Sequence, residues 1–144
     1  MSSHLASVTW SRTSPDFSYE AYTRDHVWTF GAGSSLPASA APDFRGNPAL
    51  ANPEEAFVAA LSSCHMLTFL ALCSRKRIVV DRYEDQAEGI LEKDADGRLA
   101  VTRVTLHPRV TFAEGAPADL AALHHKAHEL CFIANSVKTV VTVE

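Results

Sequence analysis

Three thiols, Cys64, Cys73 and Cys131, are the groups in this chain best suited to do chemistry. A thiolate is a nucleophile, a metal ligand and one half of a disulfide. An odd number of cysteines argues for thiol chemistry or plain burial over a structural disulfide framework. Cys64 belongs to a polar island, Ser62, Ser63, Cys64, His65 and Thr68, that interrupts an otherwise apolar run. If one helix carries both Cys64 and Cys73, they lie about 13 Å apart along its axis and on opposite faces. A disulfide permits a Cα separation of roughly 7 Å, so the two cannot pair. That leaves Cys131 as the only possible mate for Cys64. Two cysteines far apart in sequence, each on or beside a helix, suit a redox pair brought together by the fold. The plainer reading of a buried cysteine is a small hydrophobe.

The histidines offer a second chemistry. His124 and His128 are one helical turn apart, the spacing of two metal ligands. No HExxH motif accompanies them, and nothing in the sequence fixes a third ligand, so a solvated helix face is the plain alternative. His65, beside a buried face, is either simply hydrogen-bonded there or a proton donor.

The element that must position Cys64 runs from Asn52 to Ser74. Asn52 suits the N-cap, Pro53 the first helical position and Glu55 the third, a variant capping box. Arg75, Lys76 and Arg77 set positive charge at the other end, against the negative pole of the helix dipole. Phe57, Ala60, Leu61, Cys64, Leu67 and Ala71 fall at three- and four-residue steps, and Val58, Phe69, Leu70, Leu72 and Cys73 make the other faces nearly as apolar. Such a helix is expected to be buried all round.

Before it, Val8 to Arg12, Phe17 to Tyr22 and His26 to Phe30 alternate as strands, and Gly31 to Ala51 reads as a long loop, a lid or a mobile surface segment. After it, Ile78 to Val80 and Tyr83 to Glu92 are extended, and Asp94-Ala95-Asp96-Gly97 turns into a partner strand from Leu99 to Phe112. Leu120, Leu123, Ala127 and Leu130 mark a second amphipathic helix with Cys131 just past its last turn, and Ser136 to Val143 closes the chain as a strand. The order is α+β, with antiparallel strands packed on helices. Residues 1–144, 47% hydrophobic, suit a single domain.

A formal net charge of -4, with 13 basic and 17 acidic residues interspersed, gives no basic stripe and argues against a nucleic-acid partner. The first ten residues lack a basic start followed by an apolar stretch, which points to a reducing, cytoplasmic setting. The one run of membrane length, Ala56 to Cys73, carries the polar island and is flanked by Glu54 and Glu55, which argues against a membrane span.

NPEEAFVAALSSCHM resembles the NPE-(hydrophobic)-AA-x-x-x-C signature of the OsmC/Ohr family of osmotically inducible and organic hydroperoxide resistance proteins. AHELCFIANS is similar to that family's second-cysteine segment, and YTRDHVWTF to its early strand, which carries an arginine. The resemblance implies an OsmC-like fold, with antiparallel sheets wrapped around a long central buried helix in an intertwined homodimer, and active sites at the subunit interface. It implies a thiol peroxidase in which Cys64 is the peroxidatic cysteine, Cys131 the resolving one, Glu54 the carboxylate and Arg24 the arginine. Organic hydroperoxides, with hydrogen peroxide as a further substrate, a dithiol reductant of lipoyl type, and no cofactor or metal follow from it.

The chemistry makes sense of those residue types. A free thiol, with a pKa of about 8.5, is mostly protonated at neutral pH, and a nearby guanidinium stabilises the thiolate. Attack on a peroxide oxygen releases an alcohol and leaves a sulfenic acid, which a second thiol condenses to a disulfide. A carboxylate pairing with the arginine fixes its orientation; the cap occupies Glu55 and leaves Glu54 free. Glu54 and Cys64 are about 15 Å apart along a continuous helix. Either the arginine spans that gap or the carboxylate serves a partner chain. Two departures stand out: His65 follows Cys64 where many members carry an aromatic or small residue, and Phe132 follows Cys131 where a proline is common. Arg45 is the rival of Arg24, which is favoured because its strand has a matching flank. Leu36, Phe44, Phe57 and Met66 either line an apolar mouth or belong to the core. The alternative function is a non-catalytic protein of the same fold that binds a small apolar ligand in the dimer cleft.

Overall fold

A computed structural model describes residues 1–144. The chain forms two compact units, Met1–Ala56 and Phe57–Glu144.

In the first unit β1 (Ala6–Thr9), β2 (His26–Phe30) and β3 (Ser35–Ala38) form an antiparallel sheet in the order β1-β2-β3. The stretch expected as a strand, Phe17 to Tyr22, is instead a turn. The Asp16 carboxylate accepts the Ser18 N–H at 2.9 Å, and the Ser18 carbonyl accepts the N–H groups of Ala21 and Tyr22. The Asp16 bond is how a short acidic side chain competes with a strand ladder, and the turn gathers Phe17 and Tyr22 around Trp10, with Trp10 and Phe17 centroids 5.8 Å apart and Tyr19 against Tyr22. The stretch expected as a long loop holds β3 and a short 3-10 turn, Pro42–Phe44. Buried Ser39 ties it down, its hydroxyl donating to Asp25 Oδ1 at 2.9 Å and accepting from the Asn47 N–H at 3.0 Å.

The helix α1 (Pro53–Arg75) starts where Asn52 Oδ1 accepts the Glu55 N–H at 2.9 Å, the N-cap bond read from the sequence. At its other end the Arg77 N–H reaches the Ser74 carbonyl and the Ile78 N–H the Cys73 carbonyl, with Arg77 left-handed at φ 59. That is a Schellman motif with arginine where glycine is usual. Burial differs from the expectation. Leu61, His65, Phe69 and Cys73, spaced by four, are the buried residues, while Ala59, Ala60, Ser63, Leu67 and Ala71 are exposed. An apolar run this even carries no sidedness of its own, so the packing partners in the fold decide which stripe is covered.

In the second unit the expected long hairpin divides. β4 (Val80–Asp85) pairs with β7 (Pro108–Phe112), and β5 (Glu88–Lys93) pairs with β6 (Leu99–Leu106), both antiparallel. The break falls at Gln86-Ala87 on one side and His107 on the other, where Asp85 Oδ1 accepts the His107 N–H at 2.7 Å. The Asp94 to Gly97 turn forms as read, with Gly97 at φ 77. α2 (Leu120–Leu130) follows, then a 3-10 turn (Ala134–Ser136) and β8 (Val140–Val143), which lies parallel to β6 and not antiparallel as expected. The crossover through α2 reverses the chain before β8, and this permits parallel pairing. One core cluster sets Phe69 and Cys73 of α1 against Phe112, Leu123 and Ala127; another sets Leu61 against Val104 and Leu106. Phe57 packs on the second cluster, so its role is core.

Candidate active site

The polar island of α1 meets a polar partner at nearly every position. Ser62 donates its hydroxyl to Asp85, and Thr68 donates to the Cys64 carbonyl at 2.9 Å. Cys64 is half-buried, and its thiol lies in side-chain contact with that of Cys131, the C-cap of α2. Both are free thiols. Burial pushes the Cys131 thiol above the ordinary range and the Cys64 thiol against it adds to the rise, while the Ala134 N–H, donating to Cys131 Sγ at 3.4 Å, works the other way. Cys73 is buried among Phe69, Phe112, Leu123 and Ala127, and burial is the main cause of its raised pKa. The structure thus sets Cys64 beside Cys131 and leaves Cys73 in the core.

His65 is 1% exposed and shares one proton with His124, Nε2 to Nδ1, at 3.0 Å. Its ring is nearly coplanar with that of His124, edge to edge with centroids 5.4 Å apart and planes 6° apart, and His124 stacks on Phe69 at 4.2 Å. Burial, with the positive charges that His124 and His128 would carry, brings the His65 pKa down to about 4 against the opposing pull of Asp85. Both rings are therefore neutral at pH 7. His124 is committed to His65, and no group of three or more His, Cys, Asp or Glu side chains has a metal-holding arrangement. Beside this pair lies a cavity of about 680 Å³, lined by Leu120, His124, His128, Val141 and Val143 among others.

In the first unit Arg24 lies in the loop just before β2, not within a strand. Its guanidinium donates to the carbonyls of Tyr22 at 2.5 Å and Tyr19 at 2.6 Å, and sits over both tyrosine rings, 3.7 Å from the Tyr22 centroid. Arg45, left-handed at φ 62, reaches the same Tyr19 ring at 5.6 Å. The two arginines that rival one another in the sequence share one aromatic neighbour. Glu54, in the first turn of α1, does not pair with Arg24; its Oε2 is buried and has no hydrogen-bond partner. Within one chain the aromatic faces and carbonyls hold the guanidinium in place. His26 is structural: its Nδ1–H donates to the Arg24 carbonyl at 2.7 Å and its Nε2 accepts from Trp28 at 2.9 Å. A second cavity, about 340 Å³, is bounded by Trp10, Phe17, Tyr22, Arg24 and neighbours.

Sequence reasoning did not find Asp85, the role of His124, or the aromatic group that holds Arg24. Asp85 had no signal, being one acid among many in an extended segment. The aromatic group had one: Trp10, Phe17, Tyr19 and Tyr22 fall within thirteen residues.

Relatives bear on this arrangement. An OsmC-like protein of unknown function from Vibrio cholerae is 48% identical, covers all of this chain and 99% of its own, and superposes with a TM-score of 0.94. An organic hydroperoxide resistance protein from Legionella pneumophila (TM-score 0.73, 20% identity, 100% of this chain and 98% of that one) has the same fold. So does the organic hydroperoxide resistance protein OhrB of Bacillus subtilis (0.71, 20%, 99% and 96%). An uncharacterized Bacillus subtilis protein, YmaD, is 24% identical over 120 residues, 80% of this chain and 79% of its own. The family described as OsmC-like protein matches residues 46–144, more than half of the sequence and both cysteines of the contacting pair. With that match and the Vibrio relative in hand, the chain belongs to the OsmC-like protein family.

Proposed function

We propose that this protein is a cysteine-based thiol peroxidase that reduces organic hydroperoxides. The observation that carries the reading is the contact between the Cys64 and Cys131 thiols, drawn from opposite ends of the second unit. In this mechanism the Cys64 thiolate attacks a peroxide oxygen; with one proton taken up, an alcohol leaves and a sulfenic acid remains. Cys131 then condenses with it, forming the disulfide and releasing water. A dithiol reductant of lipoyl type reopens the disulfide in the cytoplasm and restores both thiols. The half-exposure of Cys64 beside a buried Cys131 suits an attacking thiol reached by substrate and a resolving thiol kept from it.

Arg24 and Glu54 complete the site in an intertwined homodimer. Two features favour this: the buried, unpartnered Glu54 oxygen, which is costly to leave unsatisfied, and the exposed Ala59, Ala60, Leu67 and Ala71 on α1, an apolar stripe that a second copy would cover. Leu67→Asp then yields monomers in sedimentation, whereas dimers of unchanged stability reject this interface.

The test of the function is turnover of cumene hydroperoxide with dihydrolipoamide, followed by mass spectrometry for the Cys64 to Cys131 disulfide. Turnover that survives Cys64→Ser sinks the proposal. The rival reading, an apolar ligand held in the dimer cleft, draws support from the predominantly apolar lining of the two cavities. It requires that thiol alkylation leave ligand binding intact and that Cys64 react no faster than Cys73.

A further inference from the structure

The contact between Cys64 and Cys131 needs α2 held at one height against α1, and the nearest polar tie between those helices is the His65 to His124 bond. His65 follows Cys64 directly, and His124 sits two helical turns before Cys131. The two imidazoles lie edge to edge and nearly coplanar, and the face of His124 rests on Phe69 at 4.2 Å. The tie is also one that the fold cannot easily give up. With His65 1% exposed and its Nδ1 already unpartnered, loss of the bond leaves a whole buried imidazole unsatisfied, a cost met only by moving α2 or admitting water.

We propose that His65 and His124 are positioning residues for the thiol pair: their hydrogen bond sets the register of α2 on α1 and so fixes how readily Cys64 and Cys131 form a disulfide. The groups facing His65 are His124 and His128 from α2 and Asp85 from β4. Asp85 is held by the Ser62 hydroxyl and the His107 N–H, and it leaves His124 as the direct partner of His65. The inference rests on the pairing of Cys64 with Cys131 and not on peroxide as the oxidant.

The test is the equilibrium with glutathione at pH 7.5, in which the protein dithiol plus one oxidised glutathione gives the protein disulfide plus two reduced glutathiones. His124→Ala and His65→Phe each lower that equilibrium constant about tenfold relative to wild type, since each removes the bond. The double variant H65Q/H124N restores it to within about twofold, because the Gln amide replaces Nε2 and the Asn amide replaces Nδ1. His124, which borders the cavity, tolerates truncation if His65→Phe does not fold. An equilibrium constant unchanged in His124→Ala, or a double variant as impaired as the single ones, overturns the proposal. A wild-type disulfide that forms in glutathione but no turnover of hydroperoxide rejects the peroxidase reading and leaves this one standing.

Discussion

Lys76, just past the end of α1, and Asp119, the N-cap of α2, are joined at 2.8 Å and stand twelve residues after Cys64 and twelve before Cys131. Equal offsets in opposite directions mean that the helices run antiparallel in register, with an ion pair tying one end and two thiols meeting at the other. The ion pair is half-exposed on both sides, so solvent screens it and its contribution to stability is small. Lys76→Met is expected to leave the urea unfolding midpoint almost unchanged. A larger loss, persisting in high salt, would mean that the pair sets the helix register itself.

The two thiols should fail in different ways. Cys131→Ser leaves Cys64 able to attack once, so stoichiometric hydroperoxide is consumed and a sulfenic acid accumulates that dimedone traps. Cys64→Ser gives neither consumption nor adduct. Cys73→Ala changes stability, by about 1 kcal/mol or more from the lost packing, with little effect on turnover. Intact-mass spectrometry separates the three outcomes, and a dimedone adduct on Cys73 would reassign the reactive thiol.

The helix α1 was legible from its ends because capping is local chemistry: Asn52 bonds Glu55 three residues on, whatever the rest of the chain does. The meeting of Cys64 with Cys131 was legible by elimination, since helix geometry forbids Cys73. The strand expected over Phe17 to Tyr22 failed because alternation of aromatics was outweighed by turn bonds from Asp16 and Ser18. The single long strand from Leu99 failed at His107, where a side chain from β4 takes the backbone N–H. In both misses an aspartate side chain, Asp16 or Asp85, takes a backbone N–H, which periodicity does not register. His124 was read as a ligand or a solvated residue because its partner, His65, is fifty-nine positions away.

Acid should weaken the fold through His65. Its folded pKa, about 4, lies below the ordinary value of 6.5, so between those values the unfolded chain binds the proton more readily. The stabilisation from keeping His65 neutral is fully present above pH 6.5 and is lost as pH falls to about 4. A depression of this size corresponds to about 3 kcal/mol, and the lowered pKa of His124 acts in the same direction. Urea unfolding at pH 7.5 and pH 4.5 reads the difference, and H65Q/H124N, with no imidazole at either position, should show a shallower slope over the same range. A slope equal to wild type would move the acid sensitivity to other groups.

At Arg77 α1 ends against the preference of its residue. At φ 59 this arginine occupies the left-handed C′ position of the Schellman motif, a conformation in which a Cβ crowds the following carbonyl at a cost of roughly 1 kcal/mol. Glycine removes that crowding but adds freedom to the unfolded chain and takes a cation from the negative pole of the helix. Since Arg77 is exposed and its charge is screened, relief of crowding outweighs the other two. Arg77→Gly is expected to raise the unfolding free energy by a few tenths to about 1 kcal/mol, read from the urea midpoint at constant slope. A loss in its place would show that the arginine side chain makes a contact worth more than the strain it imposes.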